Sequence, residues 1–73
     1  MRAKINIDTL SRINKFVAIC SNIDFPVHLV DGNGYCISAK SVLGAVATAD
    51  WTNVYVECEK DIYSAIQEFV VAE

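Results

Sequence analysis

Ser38-Ala39-Lys40-Ser41-Val42-Leu43-Gly44-Ala45-Val46-Ala47 is the stretch that decides how this chain folds. Its polar opening, Ser38 to Lys40, closes an extended segment, and the small apolar run that follows has helical character. Ser41 stands where a side-chain oxygen can accept a hydrogen bond from the free N–H groups of a first turn, a role worth about 1 kcal/mol that by itself explains a serine there. A short helix is therefore expected from Ser41 to about Thr48, with Asp50-Trp51-Thr52-Asn53 as the loop that leaves it. Gly44 inside so short a helix costs about 1 kcal/mol relative to alanine, which marks a close backbone approach, either to the sheet or to a partner.

Working outward, Val27 and Leu29 alternate with His28, Asp31-Gly32-Asn33-Gly34 supplies residues that tolerate positive φ, and Tyr35-Cys36-Ile37-Ser38 resumes the extended pattern. That arrangement predicts a β-hairpin leading into the Ser41 helix. His28, between two inward residues, should point to the sheet face away from the helices. Upstream, Ile5 and Ile7 alternate with polar neighbours as in a short strand. Leu10, Ile13, Phe16, Val17 and Cys20 then trace one face of a helix from about residue 9 to residue 21, ended by Pro26 and capped by Asp8, Thr9 or Ser11. Downstream, Val54, Val56 and Cys58 face one way and Tyr55 and Glu57 the other, giving a last strand. Ile62, Ala65, Ile66, Phe69 and Val70 fall at the spacing of a final amphipathic helix.

The chain has 73 residues, room for one domain, and a domain of this size buries only about 60% of its unfolded surface, so nearly every apolar residue is needed inside. Charges are scattered and no apolar run approaches the roughly 20 residues that span a bilayer, which predicts a soluble protein. The alternation after Met1 is not that of a signal peptide, which points to the cytoplasm. A net charge of −3 with dispersed Lys and Arg offers no basic stripe for nucleic acid. Cys20, Cys36 and Cys58 are odd in number and widely spaced, so neither a disulfide framework nor a zinc site is expected, and the three read as small buried hydrophobes. No cofactor or metal is expected.

The order β, α, β, β, α, β, α packs economically as an α/β (α+β) open-faced sandwich, an antiparallel four-stranded sheet with helices on one face. It is also the order of HPr, the histidine-containing phosphocarrier of the bacterial sugar phosphotransferase system. The chain resembles that family from about Val27 to Val71. Ile37 to Gly44 looks like the family's strand end, Lys-Ser pair and helix start, and Val54-Tyr55-Val56-Glu57-Cys58-Glu59 is similar to its last strand.

The resemblance implies an HPr-like fold, and it exposes a departure. The family's phosphoryl group is carried by a His-x-Arg-Pro motif at the start of the first long helix, and here that position falls at about Asp8 or Thr9. Asp8 would set its own carboxylate on the donors that receive phosphate, and a phospho-aspartate needs activation, usually by Mg²⁺, that no second acid is placed to support. Arg12 lies near the family's arginine and reads as a solvated helix residue. His28, the only histidine, has no acidic, Ser or Cys neighbour assignable from spacing.

By the same resemblance Ser41 corresponds to the serine that a dedicated kinase phosphorylates in some HPr proteins, and Val42, Leu43 and Val46 to the helix face that meets protein partners. Trp51, in the loop after the helix, is a second candidate, either capping the edge of the core or serving as an interface anchor. The expectation is a non-catalytic HPr-like protein that acts through a protein partner. A phosphocarrier with a displaced acceptor, and a small oligomerisation or ligand-binding α/β module, are its alternatives.

Overall fold

Alternation around Ile5 and helical spacing after Thr9 give the first two elements of the computed structural model, which describes residues 1–71: strand β1, Arg2–Ile5, and helix α1, Leu10–Ser21. Thr9 is extended and its Oγ1 accepts the N–H of Arg12 at 3.2 Å, so of the three candidate caps it is the threonine that starts α1. The hairpin follows as β2, Val27–Val30, and β3, Cys36–Ser38. The Asp31 carboxylate accepts from the N–H groups of Asn33 and Tyr35, and only Gly34 takes a positive φ, 96°. Helix α2, Val42–Ala47, runs into a 3-10 turn at Thr48–Asp50; β4, Val54–Cys58, and α3, Tyr63–Ile66, complete the regular elements.

The four strands form one antiparallel sheet in the order β1-β4-β2-β3. Leu29 lies between Val56 and Ile37, and Ala3 opposite Val56, so one face of the sheet is apolar. Ile13, Phe16, Val17 and Cys20 of α1, Ala45 of α2, and Ile62, Ile66 and Phe69 at the chain end belong with Leu29 and Val56 to a single buried core. Phe16 and Phe69 meet edge to face, with ring centroids 5.3 Å apart. The opposite face, carrying Arg2, Lys4, Tyr55, Glu57, His28 and Ser38, is left open. The class is therefore mixed α+β, with an open antiparallel sheet and three α-helices among the described residues.

Two expectations about the helices need correction. The long final helix is one α turn, followed by a 3-10 turn at Gln67–Phe69. Val70 is extended and bridges Ile5, while the Asn6 and Val71 N–H groups donate to the Phe69 and Lys4 carbonyls. Pairing with the edge of β1 satisfies backbone groups there, and it overrides the helical spacing of the side chains. Ala65, at a predicted inward position, is consequently exposed. Leu10, the first residue of α1, is also exposed, at 63%.

Candidate functional site

The start of α1, where the family comparison made in the sequence would place a phosphoryl acceptor, is occupied by internal contacts. Arg12 is half-buried rather than solvated. Its Nε and Nη2 donate to the Asn6 carbonyl at 3.1 and 2.9 Å, Nη2 also reaches the Glu68 carbonyl at 3.3 Å, and the guanidinium lies 5.1 Å from the centre of the Phe69 ring. Asp8 stands 3.9 Å from Arg12 on the exposed side. The planar fork of the guanidinium suits this multiple bonding, and it ties the entry to α1 to the end of the chain. A cleft of about 290 Å³ lies beside this corner, between Asn6-Ile7-Asp8 and Trp51-Thr52-Asn53.

Helix α2 contrasts with it. Ser41 caps α2 as its position in the sequence requires, its Oγ accepting from the Gly44 N–H at 3.1 Å. Gly44 faces the sheet: a Cβ there would come within 3.2 Å of the Ile37 side chain, so the close approach is internal. Ala45 is fully buried, and the buried Thr48 hydroxyl donates to the Ala45 carbonyl. With Gly44 and Ala45 turned inward, Val42, Leu43 and Val46 are left outside, at 43%, 85% and 42% exposure. Lys40, directly before Ser41, donates from Nζ to the Ile23 carbonyl at 2.6 Å and is half-buried.

At the far end of α2, Trp51 is half-buried and stacks on Tyr35 of the hairpin, ring centroids 6.4 Å apart and 26° from parallel. Tyr35, which carried no role in the sequence reading, is 66% exposed. The available signal was an aromatic directly after the Asp-Gly-Asn-Gly turn, where no core position falls.

His28 points to the open face, as its place between Val27 and Leu29 requires. Register sets it between Glu57 of β4 and Ser38 of β3, with Arg2 beyond Glu57. The acidic and hydroxyl neighbours that spacing could not assign are thus supplied by strand pairing, although no ion pair within 4 Å joins His28 to Glu57 among the described residues. Arg2 takes Glu57 instead, at 3.8 Å, and covers the Tyr55 ring at 4.6 Å.

The cysteines do not all conform to the buried reading. Cys20 is buried in the core, and burial, then the nearby Cys58, push its thiol up to about 11 against the pull of Lys40. Cys58 is half-buried, with its thiol also raised by burial. Cys36 is exposed, because in β3 it alternates with the inward Ile37 and falls on the open face of an edge strand. All three are free, and no cluster of three or more metal-ligating side chains occurs among the described residues. No described helix is long and apolar enough to cross a membrane.

No protein-family model matches the chain, and neither a curated protein nor a solved structure matches it.

Proposed function

We propose that this chain is a non-catalytic HPr-like protein, related to the bacterial sugar phosphotransferase system, that works as an interaction or regulatory module by docking α2 on a protein partner. The observation that carries the reading is the exposure of Val42, Leu43 and Val46 on a helix whose other side is turned inward, with Gly44 against Ile37 and Ala45 buried. A domain this small has few apolar side chains to spare, and an apolar face left outside is characteristic of an interaction surface. The strand order β1-β4-β2-β3 and the Ser41 cap support an HPr-like arrangement. The absence of histidine at the start of α1, together with an Arg12 committed to backbone carbonyls, favours docking over phosphoryl transfer.

Ser41 is the proposed regulatory position. A phosphate on its exposed Oγ would add charge at the edge of the apolar face, where it can weaken docking without entering the core. The test is a capture experiment with the immobilised protein, followed by affinity measurement on one purified partner. Leu43→Asp should abolish binding, and Ser41→Glu should weaken it. Unchanged affinity in both variants refutes the reading.

A second reading, a carrier with a displaced acceptor, draws on His28, exposed and set in register with Glu57 and Ser38. Incubation with Enzyme I, phosphoenolpyruvate and Mg²⁺ separates the two. The docking module keeps its intact mass, whereas the carrier gains one acid-labile phosphoryl group that His28→Ala removes.

A further inference from the structure

Met1 is the only methionine of the chain, and its thioether is a hydrogen-bond acceptor in the fold. The Met1 carbonyl accepts from the Cys58 N–H at 3.0 Å, which carries the β1–β4 pairing one residue beyond Arg2. From there the side chain reaches the start of α3, where Sδ accepts from the Ile62 N–H at 3.2 Å. We infer that Met1 is an oxidation site, and that its conversion to the sulfoxide loosens α3 while the rest of the fold holds.

The start of α3 has few other ties. Ile62 occupies the cap position without a side-chain oxygen to offer, and the carboxylate nearby is used one residue on, Asp61 Oδ1 accepting from the Tyr63 N–H at 2.8 Å. The helix is a single turn, closed by the Ala65 and Ile66 N–H groups on the Ile62 carbonyl, and a helix that short does not stand on its own hydrogen bonds. Ile62 is buried, so an N–H that loses its acceptor there meets water only if the turn opens.

The sulfur lies beside solvent. Met1 is half-buried and lines a surface groove of about 510 Å³ with Ala3, Asp61, Tyr63 and Val70. Hydrogen peroxide supplies the oxygen: the O–O bond breaks as the S–O bond forms, the departing hydroxide takes the proton of the transferred oxygen and leaves as water, and sulfur is oxidised by two electrons. The product cannot keep the bond. At 3.2 Å no oxygen fits between sulfur and nitrogen, and an oxygen on the other side leaves a positively polarised sulfur facing the Ile62 N–H.

Contacts further along the chain do not depend on the sulfur. Phe69 meets Phe16 edge to face, Arg12 reaches the Glu68 carbonyl, and the Asn6 and Val71 N–H groups pair with the Phe69 and Lys4 carbonyls. The opening is thus confined to the turn from Ile62 to Ile66.

The test uses protein in which Cys36→Ser removes the exposed thiol, treated with hydrogen peroxide and then with dithiothreitol to restore the other two thiols. The intact mass should rise by one oxygen, placed on Met1 by fragmentation. Hydrogen exchange should quicken at least about tenfold at the Ile62, Ala65 and Ile66 amides and stay unchanged at Asn6, Val56 and Val71. Methionine sulfoxide reductases should restore the original rates. Norleucine in place of Met1, with the shape of methionine but no sulfur, should quicken the Ile62 amide and make exchange indifferent to peroxide. If peroxide adds no oxygen to Met1 at concentrations that oxidise free methionine, the site is removed. Oxidised protein with unchanged exchange at Ile62 keeps the bond and overturns the inference, and exchange quickened equally at Val56 and Val71 reports general destabilisation and overturns it as well.

Discussion

The start of α1 and the outer face of α2 use their side chains in opposite ways. At α1 a charged residue that could meet a ligand is consumed internally: Arg12 binds the carbonyls of Asn6 and Glu68 and lies against Phe69. At α2 the apolar residues that could fill a core are left outside, because Gly44 and Ala45 are the residues of that helix that turn inward. Polar groups near a helix start therefore do not define a binding site, and apolar groups on a helix do not define a core. What each face must satisfy decides its use: backbone carbonyls at the first, and nothing yet in the fold at the second.

The largest effect that can break this comparison comes from placing a carboxylate on the inner face of α1. Val17→Asp buries an unpaired charge at a cost of several kcal/mol, comparable with the whole stability of a domain this small, and circular dichroism should show an unfolded chain. Arg12→Ala should cost about 1–3 kcal/mol by removing its hydrogen bonds to the Asn6 and Glu68 carbonyls, measured as a shift of the urea midpoint. Arg12→Lys should recover only part of it, since an ammonium cannot reproduce the fork. A full rescue would show that charge, not geometry, holds the corner together.

Smaller is the loss of the α2 cap: Ser41→Ala should cost about 1 kcal/mol by the same measurement, without altering the exposure of Leu43. A further effect is confined to alkaline pH. The Cys20 thiol has its pKa raised by burial from 9.0 to about 11. The unfolded chain therefore releases that proton first, and stability falls as pH rises through this window while being unaffected below it. Cys20→Ala should flatten that part of the profile. In native buffer near neutral pH a thiol reagent should label the exposed Cys36 rapidly and Cys20 slowly, both reacting fast in denaturant.

Much of the architecture was legible because local chemistry and tertiary structure agree. The Asp-Gly-Asn-Gly turn, the alternation in β2 and β4, the Thr9 and Ser41 caps and the outward His28 are all set by patterns a few residues long. What could not be read depended on partners distant in sequence. Val70 leaves the helical pattern because the edge of β1 is unpaired without it, and Arg12 is drawn inward by a carbonyl at Glu68. Periodicity assigned Leu10 to the core because spacing alone does not show which helix-end positions the rest of the fold covers. The same blindness hid the aromatic stack and the outer face of α2: nothing local joins Tyr35 to Trp51, and only the packing of α2 decides which of its apolar residues turn outward.

The central claim, that the outer face of α2 is surface available to a partner rather than part of the core, is tested most directly by thermal unfolding of Leu43→Asp. If Leu43 is as exposed as the structure shows, the change lies within about 0.5 kcal/mol and the melting temperature moves by no more than about 4 °C. Loss of the cooperative transition, as expected for Val17→Asp, would place Leu43 in the core and contradict the account.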